Sequence, residues 1–131
     1  MPHDLSMRPE EFFAVDTAQL PWEPRFNDKL GLNLFRKSLY TDPDNGMEIR
    51  LVRYPAGVIN PRHTHPCGHG MYVLKGKLVT HKGTFPPGTF VWFPEGEVME
   101  HGATSNEDVT VLFITNKRFR IDYIDTPQPS A

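Results

Sequence analysis

Clusters of Gly, Pro, Asn and Asp divide most of this chain into runs too short for ordinary helices, and that spacing restricts the fold more than any other feature. Asp42-Pro43-Asp44-Asn45-Gly46, Lys75-Gly76-Lys77, Phe85-Pro86-Pro87-Gly88 and Ser105-Asn106-Glu107-Asp108 all carry turn chemistry. The runs between them predict strands at 32–39, 47–54, 62–65, 69–75, 77–82, 89–93, 99–103, 108–115 and 119–124. Many short strands at this spacing argue for an all-β antiparallel sandwich or barrel. No internal repeat or low-complexity tract interrupts them.

Before Gly31 the pattern differs. Pro2, Pro9, Pro21 and Pro24 mark a proline-rich leader that also carries Phe12, Phe13, Val15, Leu20 and Trp22. Burying such side chains yields roughly 1.5 to 3 kcal/mol each, so the leader is expected to pack on a barrel face or a neighbouring subunit. The expected organisation is an arm at 1–28, a barrel at 29–126 and a tail at 127–131. With 131 residues the chain suits one domain with a modest core.

A net charge of -2 lacks the basic excess of a nucleic-acid binder, so none is expected as partner. The start MPHDLSMRPEEFF has no basic region followed by an apolar run, and no stretch suits a membrane helix. A cytoplasmic location with no membrane partner is the expectation, and the lone Cys67 fits a reducing compartment.

The chemistry concentrates at three histidines. In a strand the His63-Thr64-His65 triplet aims two imidazoles the same way, about 7 Å apart, with Thr64 pointing elsewhere. His69 follows after the turn-forming Pro66-Cys67-Gly68, which can return the next strand beside the first. Three convergent imidazoles form a half-site for a divalent transition metal: iron, manganese, nickel, copper or zinc.

Gly57-x5-His63-x-His65-x3-His69-x6-Gly76 resembles the first motif of the cupin superfamily, with histidine where glutamate is usual. Gly88-x5-Pro94-x-Gly96-x4-His101-x4-Asn106 resembles the second, with two extra residues before the histidine. A shift of two keeps a side chain on the same strand face. Together the motifs span Gly57 to Asn106, and the likeness extends from about Trp22 to Ile124. Leu20-Pro21-Trp22-Glu23-Pro24 is similar to small cupins grouped with the acetylacetone-cleaving dioxygenase and the cupin domain of the anti-sigma factor ChrR.

This resemblance implies an antiparallel double-stranded β-helix, a jelly-roll-like barrel, with His101 as a fourth metal ligand beside His63, His65 and His69. Four neutral ligands would leave an ion's full +2 charge, where three histidines and a glutamate would leave +1. Met71, Val73 and Met99 share strand phases with His69 and His101 and are expected to line a substrate pocket, with Phe90, Trp92 and Phe113 as aromatic candidates. Glu97 and Glu100 lie near His101 and could accept its remaining N–H or act as a base. Arg50, Arg53 and Arg62 could orient a carboxylate, although a solvated sheet face explains alternating arginines equally well. Cys67 reads as a small turn residue rather than a thiolate ligand, and His81 as exposed.

By resemblance, the expected function is a metal-dependent oxygenase acting on a small enolisable carbonyl or phenolic substrate. A non-redox cyclase, isomerase or lyase is the alternative, and a small-ligand sensor a third, against which stands the lack of an additional helical domain to carry a signal. A homodimer is expected from the apolar leader and outer sheet faces.

Overall fold

The segment Val109–Thr115 alternates strictly between buried and half-buried side chains, with Val109, Val111, Phe113 and Thr115 turned inward. A period of two is the mark of a strand with one face on a core. The computed structural model describes residues 11–124, and nearly all of its regular structure is of this kind. The strands are β1 (Glu23–Asn27), β2 (Leu32–Thr41), β3 (Glu48–Tyr54), β4 (Ile59–Thr64), β5 (His69–Lys75), β6 (Leu78–Thr80), β7 (Gly83–Phe85), β8 (Phe90–Phe93), β9 (Met99–Ala103), β10 (Val109–Thr115) and β11 (Asp122–Tyr123). A 3-10 turn at Thr17–Gln19, capped by the Asp16 carboxylate accepting from the Ala18 N–H, precedes them.

The strands form two antiparallel sheets in the orders β1-β2-β3-β10-β5-β8 and β11-β4-β9-β6-β7. Their inward faces share one core, in which Met71, Val73, Phe93, Val111 and Phe113 of the first sheet meet Leu78, Met99 and Ala103 of the second. This is the expected all-β jelly-roll architecture. The chain passes from one sheet to the other at Gly76, whose φ of 77° is the left-handed conformation that suits glycine, and where a Cβ would strike the Asp108 carbonyl.

Most of the expected strands are present, although the expected 119–124 strand is only the two-residue β11, and β1 and β7 are additions. Within the leader, Glu23–Asn27 is a true strand, pairing with β2 at the rim of the larger sheet. Pro24 is compatible with that place, because an edge strand leaves some N–H positions unpaired. The expected 77–82 strand is shortened to β6, which turns at His81-Lys82 and pairs with β7 as a hairpin. Upstream of β1, Phe13 stacks on Tyr40 with centroids 5.8 Å apart, and Trp22 lies beneath Lys37 and Arg53, while Phe12 is exposed. Pro2, His3, Pro9 and the tail 127–131 lie outside the described residues. Among the described residues no helix is long and apolar enough to cross a membrane.

Candidate metal centre and its cavity

His63 lies near the end of β4 and His65 just past it, both buried, while Thr64 between them is half-buried and turned away. Strand β9 runs antiparallel beside β4, with Asn60 opposite His101 and Met99 opposite His63. An irregularity between those pairs, together with this register, brings His101 to the other two. One ring nitrogen of each of His63, His65 and His101 lies within 4.8 Å of the others, a group that could hold a metal ion.

Backbone carbonyls set the protonation of two of these rings. His63 Nδ1 donates to the Pro61 carbonyl at 2.6 Å, and His65 Nδ1 donates to the Arg120 carbonyl at 2.7 Å. A carbonyl only accepts, so both rings carry their proton on Nδ1 and present a bare Nε2. His65 Nε2 is buried without a hydrogen-bond partner, and His63 Nε2 lies 3.2 Å from His101 Nε2. An orphaned buried lone pair costs free energy unless something accepts it, and a divalent ion fits this donor set.

His101 is held differently. Its Nδ1 lies 3.1 Å from the Tyr54 hydroxyl, which can donate or accept and so serve either tautomer. Asn60 hydrogen-bonds Tyr54, Tyr123 donates to Asn60 at 2.6 Å, and Asn27 donates to Tyr123 at 2.7 Å. This chain of side chains fixes the orientation of the His101 ring from outside the cluster. Tyr54→Phe should therefore lower divalent-ion affinity roughly 10- to 100-fold, as loss of a partner behind a ligand typically does. A competition titration against a chromophoric chelator checks it, and wild-type affinity in the variant would contradict the role.

His69 enters from the opposite sheet, at the start of β5. Its ring lies 4.8 Å from that of His65 and 5.9 Å from that of His101, stacked on Phe93 at 4.7 Å. Its Nε2 faces the Met99 sulfur at 3.2 Å, and its Nδ1 is buried without a partner. The structure thus brings His69 to the cluster's edge but groups only the other three within ligating distance of one another. Cys67 is buried in the turn that Asn116 pins through Gly68, and burial raises its thiol pKa.

Other site residues expected from the sequence are placed differently. Both nitrogens of His101 are engaged by His63 and Tyr54, so it offers no N–H to Glu97 or Glu100. Glu97 is bonded instead to His81 at 3.0 Å on the surface, and Glu100 alternates to the opposite strand face from His101. Phe90 and Trp92 do not line the cavity beside the histidines: they lie on the outer face of β8, 57% and 47% exposed, over Gly70 and Gly68. Met71, Val73 and Met99 do point inward, but they fill the core rather than line the cavity.

That cavity, of about 210 Å³, is bounded by His65, His101, Tyr54, Asn60, Phe113 and Phe119, with Leu34 and Val52 adding apolar wall. Phe113 is the one expected pocket residue found there. The sequence reading missed Tyr54, Asn60 and Phe119 and left Arg50 undecided. Arg50 is 7% exposed and lines this cavity, its guanidinium against the rings of Phe113 and Phe119 at 4.8 and 4.7 Å. The alternation Arg50-x-Val52-x-Tyr54 along β3 was the available signal, since all three share one face.

Burial holds every imidazole in the cluster below its usual pKa of 6.5: His63 and His101 in that direction, His65 to about 4 and His69 to about 2, with neighbouring histidines adding repulsion for the last three. All four are neutral at pH 7, as ligation requires. A folded pKa below the unfolded one gives stability that is complete above about pH 6.5 and lost as pH falls toward the folded value. With the protein kept in chelator, His65 alone should cost on the order of 2 kcal/mol between about pH 7.5 and about pH 5. Urea unfolding midpoints at the two pH values check this; equal midpoints would contradict it.

A search of the curated proteins finds no match. Solved structures do match. A candidate acetylacetone dioxygenase from Methylibium petroleiphilum aligns with a TM-score of 0.73 at 16% identity, covering 92% of this chain and 85% of that one. The polyketide cyclase RemF from Streptomyces resistomycificus aligns at 0.68 and 15% identity, covering 90% and 89%. The complex of SigE with the anti-sigma ChrR from Rhodobacter sphaeroides contains a chain that aligns at 0.61 and 20% identity, covering 86% of this chain and 54% of its own length. Identities this low show a shared fold and nothing finer. Residues 10–120, however, match a family at the level of sequence, and with the two-sheet barrel and its inward histidines in place the chain belongs to the ChrR cupin-like domain family.

Proposed function

We propose that this protein is a metal-dependent enzyme of the oxygenase class, acting on a small enolisable carbonyl or phenolic compound beside a divalent ion held by His63, His65, His69 and His101. The observation that carries the reading is the pair of bare Nε2 atoms on His63 and His65, fixed by backbone carbonyls, in a cluster with His101 whose His65 and His101 wall a largely apolar cavity. When bound, a transition ion supplies Lewis acidity and, if redox-active, a route for electrons to dioxygen. The chain's own residues do the rest. Pro61 and Arg120 carbonyls and the Tyr54 hydroxyl orient the imidazoles, while Phe113, Phe119 and Val52 keep water from the substrate's apolar body. The likeness to a candidate acetylacetone dioxygenase supports the same class.

Metal analysis of the purified protein, followed by oxygen uptake with a panel of β-diketones and hydroxyaromatics, tests the proposal. Iron, manganese, nickel or copper with exchangeable water, and substrate-dependent oxygen consumption, is the expected result. Zinc with four protein ligands and no water would overturn it, and turnover without oxygen would move the reading to the non-redox cyclases, isomerases and lyases. Saturable ligand binding with no turnover of any kind would favour a sensor.

A homodimer is proposed as well. Tyr72, Leu74, Phe90 and Trp92 are exposed together on β5 and β8, and β8 is the edge strand of its sheet, a combination that a second copy would cover. Sedimentation as a monomer at micromolar concentration would count against it.

A further inference from the structure

A cation buried at the wall of a largely apolar cavity needs a partner. Arg50 is such a cation. Its side chain is 9% exposed, its Nε is buried without a hydrogen-bond partner, and its nearest acid, Glu48, stands 3.9 Å away, beyond hydrogen-bond distance. Glu48 offsets part of the charge but leaves donors of the guanidinium free. Arg36, opposite Val52 in the neighbouring strand, lines the same cavity and also has a buried Nε without a partner. Arg25 adds a third positive charge to the rim, partly countered by Glu23 at 3.9 Å.

The two phenyl rings against Arg50 explain how the charge is tolerated and confined. The Phe113 and Phe119 rings stand at right angles to each other with the guanidinium carbon within 4.8 Å of both centroids, which confines the cation while offering its N–H groups no hydrogen-bond acceptor. A guanidinium edge presents paired donors that match the two oxygens of a carboxylate. The same cavity reaches His65 and His101, so a molecule filling it meets the histidine cluster at one side and Arg50 at another.

We propose that Arg50 is a specificity-determining residue that binds the carboxylate of an anionic substrate, so that the compound acted on is a small carboxylic acid with an apolar or aromatic body, such as a keto acid or a hydroxyaromatic acid. Arg36 reinforces the positive potential. The inference deepens the proposed function by naming a substrate class for its site. It differs from simple attraction to a metal ion, because Arg50 acts whether or not an ion is bound.

The test compares benzoate with its neutral isostere benzamide, binding to the full chain by calorimetry, first loaded with zinc and then after chelation. Wild-type protein should prefer benzoate by roughly tenfold or more in both states, the usual value of a charge-assisted pair away from water. Arg50→Met, which keeps much of the volume beside the phenyl rings, should abolish the preference; Arg50→Lys, lacking the fork, should reduce it while retaining part. A preference that survives Arg50→Met, or that disappears from the wild type on chelation, would overturn the proposal, since the ion would then be the only anion site. Equal binding of the two probes by the wild type would overturn it without any variant, so the test stands even if Arg50→Met fails to fold. None of these readouts depends on oxygen uptake. An inactive protein that still prefers benzoate refutes the oxygenase reading and leaves the assignment of Arg50 in place.

Discussion

Alanine in place of His63, His65 or His101 should lower affinity for a divalent ion by roughly two orders of magnitude at each position. Sites of this size hold a structural ion with roughly 10 to 16 kcal/mol, so one of four ligands is responsible for about 3 kcal/mol. The fold should survive. The core strands β3, β10 and β5 pair without help from these rings, and each substitution removes a buried polar group that is costly when no ion is bound. Chelator competition on each variant, with circular dichroism as a fold control, measures the effect. Any of the three that kept wild-type affinity would remove its histidine from the proposed ligand set.

The second large effect is expected at His69, where this chain departs from the cupin pattern. His69→Ala should reduce ion affinity without unfolding the barrel, because the three grouped histidines remain. His69→Glu should keep the ion, since a carboxylate oxygen can occupy the same position, while lowering the charge of the site from +2 to +1. Without an ion that carboxylate would be buried beside Phe93 and Phe113, an environment that penalises charge. Chelation should therefore lower the melting temperature of His69→Glu far more than that of the wild type. Metal content, azide affinity and melting temperature with and without chelator decide the matter. If His69→Ala retains wild-type affinity and an unchanged coordination spectrum, His69 is not a ligand and the four-histidine site is wrong.

These expectations draw unequally on sequence and structure. Most strands were legible because turn residues interrupt the chain at most of its reversals, the tight β6–β7 turn excepted, and the period of two survives even the two-residue insertion before His101. The edge strand β1 was hidden by Pro24, since proline argues against a strand in general and is tolerated only at an edge, a property of position in the sheet. Phe90 and Trp92 could be offered from the sequence only as candidates, because β8 is four residues long and its ends give no phase. Only pairing with β5 settles it, by setting Phe93 opposite His69.

The metal centre divides in the same way. Local spacing determined by itself that His63 and His65 share a face, because parity along a strand is a property of the backbone alone. It also determined the class of fold, through the placement of turns. Only the tertiary structure decided what stands around those histidines: the Pro61 and Arg120 carbonyls that set their tautomers, Tyr54 behind His101, and the course of β3 that carries Arg50 into the cavity while Arg53 turns out to Asp108. Tyr54 and His101 are 47 positions apart in the chain, and His65 and Arg120 are 55 apart. Contacts at such separations depend on how the two sheets align, and no local pattern of residues encodes that alignment.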